Sequence, residues 1–191
     1  SDLLYGFNFQ IGTHVLGAAD VGGSMFIHAF GCYFGLAASW MVSKPKKTKD
    51  HPDCGSVYHS DAFSLLGTLL LFIFWPSFVG ALAAPHNRGR AILHTFLSLM
   101  VSAIITFVAS KHLRNGKFEM EDLQNATLAG GVAIGALGDM NIAPWGALMV
   151  GLVSGLISVF GYRFVSPWLE RKINLFDTCG IHNLHGMPAV F

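Results

Sequence analysis

The sequence predicts an all-α integral membrane protein, a polytopic helical bundle, and three observations carry that prediction. Only 12% of the 191 residues are charged while 52% are hydrophobic; a soluble domain carries about a quarter charged residues. Residues 24–42, 62–84 and 91–110 contain no Asp, Glu, Lys or Arg, and each is close to the ~20 apolar residues that cross a hydrocarbon core ~30 Å thick. The remaining charges are confined between these runs. One such run reads equally well as a buried core helix; three in succession do not.

Two further spans are expected at 124–138, which is short and Gly-rich, and at 145–164, which carries Arg163 near its end. A sixth begins near Thr178 and is still running at Phe191. A chain that starts with Ser1 and stops inside a span reads as a fragment of a larger protein, all of 1–191 belonging to one transmembrane domain. A net charge of +1 argues against a nucleic-acid partner. Cys32, Cys54 and Cys179 have no pairing or CxxC spacing.

The loops set the topology. Lys44, Lys46, Lys47 and Lys49 follow the first span, Lys111, Arg114 and Lys117 the third, and Arg163, Arg171 and Lys172 the fifth; only Arg88 and Arg90 lie on the other side. The positive-inside rule then makes 43–60, 111–122 and 163–176 cytoplasmic. The first span runs inward and the sixth outward. The Asn125-Ala-Thr sequon falls on the cytoplasmic side, where glycosylation is not expected.

Against this topology, one pattern occurs twice. DVGGSMFIH (20–28) and DTCGIHNLH (177–185) both read Asp-x-x-Gly-x-x-x-x-His. Eight helical residues rise ~12 Å, so His28 and His185, approaching from opposite faces, both arrive near the midplane. That is the mark of an inverted-topology repeat with its site at the repeat interface. An ionisable group deep in a span is by default a functional candidate. Burial favours neutral imidazoles, and a neutral pair shares one N–H···N bond while keeping one donor and one acceptor free. Asp20 and Asp177 precede helices, where a carboxylate caps free N–H groups; attraction of a cation at the mouth is compatible with capping.

Other features remain open on residue type alone. His94 reads equally as a cross-helix hydrogen bond or a functional group. The aromatic run Phe74–Trp75–Pro76–Ser77–Phe78 suits packing, or a constriction that excludes water, and Pro76 is expected to kink its span. The GxxxG pairs Gly31–Gly35, Gly131–Gly135 and Gly151–Gly155 let helix backbones approach closely. His182 and His185 lack a complete set of metal ligands, so no metal and no cofactor are expected. Bis-His haem ligation in an electron-transfer protein is the rival of a different class.

DVGGSMFIHAFGCYFGL, GSVYHSDAF, FWPSF, NATLAGGVAIG and DTCGIHNLHG together resemble the Rh-glycoprotein branch of the ammonium transporter/Rh superfamily, over essentially the whole chain. The resemblance implies a fold of eleven or twelve transmembrane helices in an inverted five-helix repeat, of which about six are present here, and assembly as a homotrimer. It implies that His28 and His185 are the paired pore histidines, that Asp20 and Asp177 are the acids preceding them, and that Phe78 is one of two stacked phenylalanines at the outer vestibule. The implied function is passage of ammonia or ammonium, not an enzymatic reaction, with methylammonium as a further cargo and carbon dioxide conduction as the alternative within the same fold. The plasma membrane is the expected location.

Overall fold

A computed structural model describes residues 2–42 and 56–191. The segment holding Lys44, Lys46, Lys47, Lys49 and Cys54 lies outside them. The described residues fold into helices α1 (Asp2–Gln10), α2 (Phe30–Val42), α3 (Tyr58–Leu82), α4 (Arg88–Leu113), α5 (Met120–Asn125), α6 (Ala129–Ile134), α7 (Pro144–Phe160), α8 (Ser166–Ile173) and α9 (Met187–Val190). Four continuous helical stretches are long and apolar enough to cross a membrane: Ser24–Val42, Tyr58–Leu82, Pro85–Leu113 and Pro144–Ile173.

Helix α4 is the centre of the bundle, and its inward face is unusual for a core. Ala91, Thr95, Ser98, Leu99, Ser102, Thr106, Ala109 and Ser110 are buried at helical spacing, so the inward stripe is small and hydroxyl-rich. Large apolar side chains point outward instead, as Leu70 and Ile73 do on α3. A soluble protein would invert this arrangement; packing against lipid favours it, because small residues let helices touch while large ones meet acyl chains. Along α7 the facing stripe is Ala147, Gly151, Ser154, Gly155 and Ser158. A Cβ at Gly151 would collide with the Ser98 carbonyl, and one at Gly155 would lie 2.6 Å from Ile105 Cγ2. Of the anticipated GxxxG pairs, those on α7 and at 131–135 are buried in close contacts, whereas Gly31 faces open space.

The Gly-rich stretch at 124–138 is not one regular helix. It runs α5, a 3-10 turn (Ala126–Leu128), α6 and a second 3-10 turn (Gly135–Leu137). Broken helix loses regular i→i+4 partners, which hydrocarbon does not replace; neighbouring hydroxyls add to the short-range bonds that remain, such as Ala129 N–H to the Ala126 carbonyl and Gly135 N–H to the Val132 carbonyl. Thr68 donates to the Gln124 carbonyl (2.7 Å), Ser102 to Ala126 (2.8 Å), Ser98 to Gly130 (2.8 Å) and Ser24 to Val132 (2.6 Å). His94 Nδ1 donates to the Gly138 carbonyl at 3.0 Å, so this buried histidine serves as a cross-helix hydrogen bond.

Boundaries depart from the sequence reading in two places. Residues 2–10 are helical and continue as a π turn, Ile11–Val15, where no element was anticipated. Helix α7 continues past Arg163 through a π turn (Gly161–Val165) into α8 and ends at Asn174 with φ 53°. Pro76 is buried in α3 without interrupting it.

At one end of α4, Asp122 is fully buried and accepts from Ser110 Oγ (2.8 Å), Arg114 Nε (3.2 Å) and Arg114 Nη2 (3.1 Å), fastening α5 to α4. Removing the cation strands a carboxylate with no access to water, while removing the carboxylate leaves a guanidinium that is 18% exposed and can reach solvent. Arg114→Met is therefore expected to destabilise the full-length protein by about 3–5 kcal/mol, and Asp122→Asn by less. Thermal unfolding of both variants in detergent checks the order.

Candidate functional site

The two Asp-to-His stretches fold alike. Each opens with a turn in which Gly23 or Gly180 donates its N–H to the Asp20 or Asp177 carbonyl (3.3 and 3.1 Å). Gly23 (φ 75°) and Gly180 (φ 66°) are left-handed, a conformation glycine adopts without penalty. A π turn follows in each case, Ser24–Ala29 and His182–Gly186, and each carries a histidine of the repeated pattern. Because the first four residues are turn and not helix, helical rise applies only to the residues after Gly23 and Gly180.

Both acids cap the helices they precede, in different ways. Asp20 accepts the N–H groups of Met25 and Phe26 on one oxygen, Oδ2, each at 2.8 Å. Asp177 uses both oxygens, accepting Ile181 N–H on Oδ1 (2.9 Å) and His182 N–H on Oδ2 (2.8 Å).

The two strings run antiparallel. Cys32 Sγ donates to the Ile181 carbonyl (3.3 Å) and Ser39 Oγ to the Phe176 carbonyl (2.8 Å), so positions fall on one as they rise on the other. This register brings His28 and His185 together. Their Nδ1 atoms lie 3.1 Å apart, with ring centroids at 5.0 Å and planes 11° apart. In a neutral pair one Nδ1 donates and the other accepts. The Nε2 atoms are then opposite in kind, one a bare acceptor and one an N–H donor. Direct contact leaves no macrocycle-sized gap between the rings, so the haem reading does not fit this geometry.

Trp75 stacks on His28 (centroids 5.5 Å, planes 27° apart), a specific contact within an aromatic run that residue type alone leaves open between packing and a constriction. His28 borders two cavities: one walled by Leu71, Phe74, Trp75 and Phe78, the other by Ile27, Gly31, Cys32, Ile181 and His185. The first is apolar apart from the imidazole and the indole. Among the described residues, His28 Nε2 and Trp75 Nε1 are buried without a hydrogen-bond partner. Phe78, 41% exposed and one helical turn from Trp75, lines the same cavity as His28. From α1, Asn8 Nδ2 donates to the Phe26 carbonyl (3.1 Å) and Phe9 packs edge-on against Phe26 (5.7 Å), bracing the π turn that holds His28.

A cleft at the Asp177 end is lined by Glu121, Tyr162, Ser166 and Glu170. Partial burial, with the Glu119 carboxylate beside it, raises the Glu121 carboxyl from its ordinary value. Among the described residues, no three His, Cys, Asp or Glu side chains are grouped to hold a metal ion.

Lipid-suited helices surrounding two mirrored Asp turns and a hydrogen-bonded imidazole pair define a class: an integral membrane protein with a polar site enclosed among its spans. The chain belongs to the Ammonium Transporter Family, which matches residues 4–191. It is 48% identical over 186 residues to ammonium transporter Rh type A of Mus musculus, covering 96% of this chain and 42% of that protein. It is 47% identical over 190 residues to ammonium transporter Rh type B of Homo sapiens, covering 98% and 42%. It is also similar to the solved Rh50 of Nitrosomonas europaea, described as one of the Rhesus family of channels, with a TM-score of 0.92, 39% identity, and 97% of this chain against 50% of that one. The chain thus spans less than half the length of these curated relatives.

The capping geometry yields a test. An Asn side chain has one acceptor oxygen, which suffices for the single oxygen Asp20 uses but not for the two Asp177 uses. Asp20 Oδ1 is itself buried without a partner, so an amide nitrogen placed there stays unsatisfied; Asp20→Asn and Asp177→Asn are each expected to lose about 1 kcal/mol, as read by denaturation of the full-length protein.

Proposed function

We propose that the full-length protein conducts ammonia across the membrane through a pore in which His28 and His185 form the narrow polar point. The observation that carries this reading is the 3.1 Å Nδ1···Nδ1 contact beside an apolar cavity. A dry apolar path rejects hydrated K⁺ and Na⁺ through their desolvation cost. Ammonia is neutral, donates and accepts, and meets at the pair one Nε2 lone pair and one Nε2–H. Two contacts lower the barrier without trapping the molecule, as conduction requires. Relatives named as ammonium transporters at 47–48% identity support the same cargo.

In this reading Phe78 narrows the outer mouth, and Asp20 and Asp177 act first by holding the π turns in register. Ammonium releases a proton on the outer side and regains one inside. Residues 124–138 and 178–191 are taken as spans beside the four long helices, giving six within one transmembrane domain. The loops at 43–60, 111–122 and 163–176 face the cytoplasm, in the plasma membrane, and the protein assembles as a homotrimer with one pore per subunit. No covalent step is involved.

In liposomes carrying the full-length protein, His28→Ala is expected to lower ammonia or methylammonium flux several-fold while the protein remains assembled. Flux at the wild-type rate would sink the proposal. Phe78→Ala is expected to leave the histidine pair intact and to relax exclusion at the mouth, read as greater methylammonium flux relative to ammonia. Paired carbon dioxide measurements on the same liposomes separate that cargo: a His28-dependent carbon dioxide flux without ammonia flux would overturn the choice.

A further inference from the structure

Ser24 occupies a place in the site that its small size conceals. It is the first residue of the π turn carrying His28, four positions before it, and is 1% exposed. Its Oγ donates to the Val132 carbonyl at 2.6 Å and accepts the Ala136 N–H at 2.8 Å. Both partners belong to the broken stretch at 129–137, where a regular helix would have used them internally. Two residues away, the Gly22 N–H donates to the Gly135 carbonyl at 2.8 Å, and a Cβ at Gly22 would lie 2.6 Å from Gly135 Cα. The backbone just before Ser24 is thus pressed against the 3-10 extension of α6, with the hydroxyl as a two-way clamp.

The clamp exists on one side of the repeat only. The position equivalent to Ser24 in the second stretch is Ile181, which has no hydroxyl to offer. There the turn is held by Tyr162 Oη, which donates to the Gly180 carbonyl at 2.9 Å. His28 therefore rests on a backbone tied to the 129–137 stretch, and His185 on one tied to α7 and its π turn.

We propose that Ser24 is a positioning residue for His28: its hydroxyl, held between Val132 and Ala136, fixes the rotation and depth of the π turn, and so the distance at which His28 meets His185. The proposal rests on the reading of His28 as the pore's polar point. Losing the hydroxyl frees the turn to shift against α6, and a small rotation at Ser24 displaces the imidazole from its partner.

The test uses the full-length protein in liposomes and four variants: Ser24→Ala, Ser24→Thr, His28→Ala and the double variant His28→Ala/Ser24→Ala. Ser24→Ala is expected to lower ammonia flux several-fold per assembled protein, together with a fall in melting temperature from the Ala136 N–H left without its acceptor. Ser24→Thr, which keeps the hydroxyl, is expected to conduct near wild type. The Ser24→Ala effect is expected to vanish in the His28→Ala background, since a residue acting through His28 has nothing left to position. Wild-type flux in Ser24→Ala overturns the proposal. So does an equal further loss in the His28→Ala background, or a loss in both Ser24 variants that follows a fall in melting temperature. Wild-type flux in His28→Ala alone would instead sink the underlying pore reading, a separate outcome in the same experiment.

Discussion

Hydrocarbon supplies no hydrogen bonds, and every departure from regular helix in this bundle is arranged around that fact. Each unpaired N–H or carbonyl inside the membrane carries a penalty of several kcal/mol, so irregular backbone persists only where a side chain reaches it. Ser98, Ser102 and Thr68 cover the carbonyls of the broken stretch at 124–130. Asp20 and Asp177 cover the free N–H groups at the start of the two π turns. Interhelical hydrogen bonds of this kind contribute roughly 0.6–2 kcal/mol each. Their larger role is to permit shapes that a lipid-facing helix cannot take.

Those shapes make the site. A π turn widens the helix and turns its side chains differently from an α-helix, which is why such turns recur at functional positions. Here two of them, entering the bundle in opposite directions, present His28 and His185 edge to edge. The indole of Trp75 closes one face of His28, so the pair is held by stacking as well as by its own bond. Satisfied backbone polarity, π geometry and paired imidazoles are links of one chain, and weakening the first loosens the last.

Much of this was legible from residues alone, for physical reasons. Charge-free runs mark spans because a charge in hydrocarbon is expensive, and the three such runs each fall largely within a long apolar helix; the fourth long helix covers the weaker run at 145–164, which carries Arg163. The meeting of His28 and His185 followed from spacing and topology. Other features left no such trace. Helix α1 was hidden because Gly6, Asn8 and Gly12 interrupt its apolar pattern. The break at 126–128 depends on serines from α4 that only packing brings near. The Trp75 stack is a matter of rotamer. Ser24 looks in sequence like any small residue tolerated in a span, and its importance is visible only once Val132 and Ala136 lie on either side of it.

The account stands or falls on the bond between the two imidazoles. Nitrogen-15 spectra of the full-length protein, labelled at histidine and assigned with single His→Gln variants, observe it directly. A neutral, hydrogen-bonded pair predicts one ring protonated at Nδ1 and the other at Nε2, with coupling across the Nδ1···Nδ1 contact. Two rings protonated on both nitrogens, or two rings without coupling between them, would contradict it.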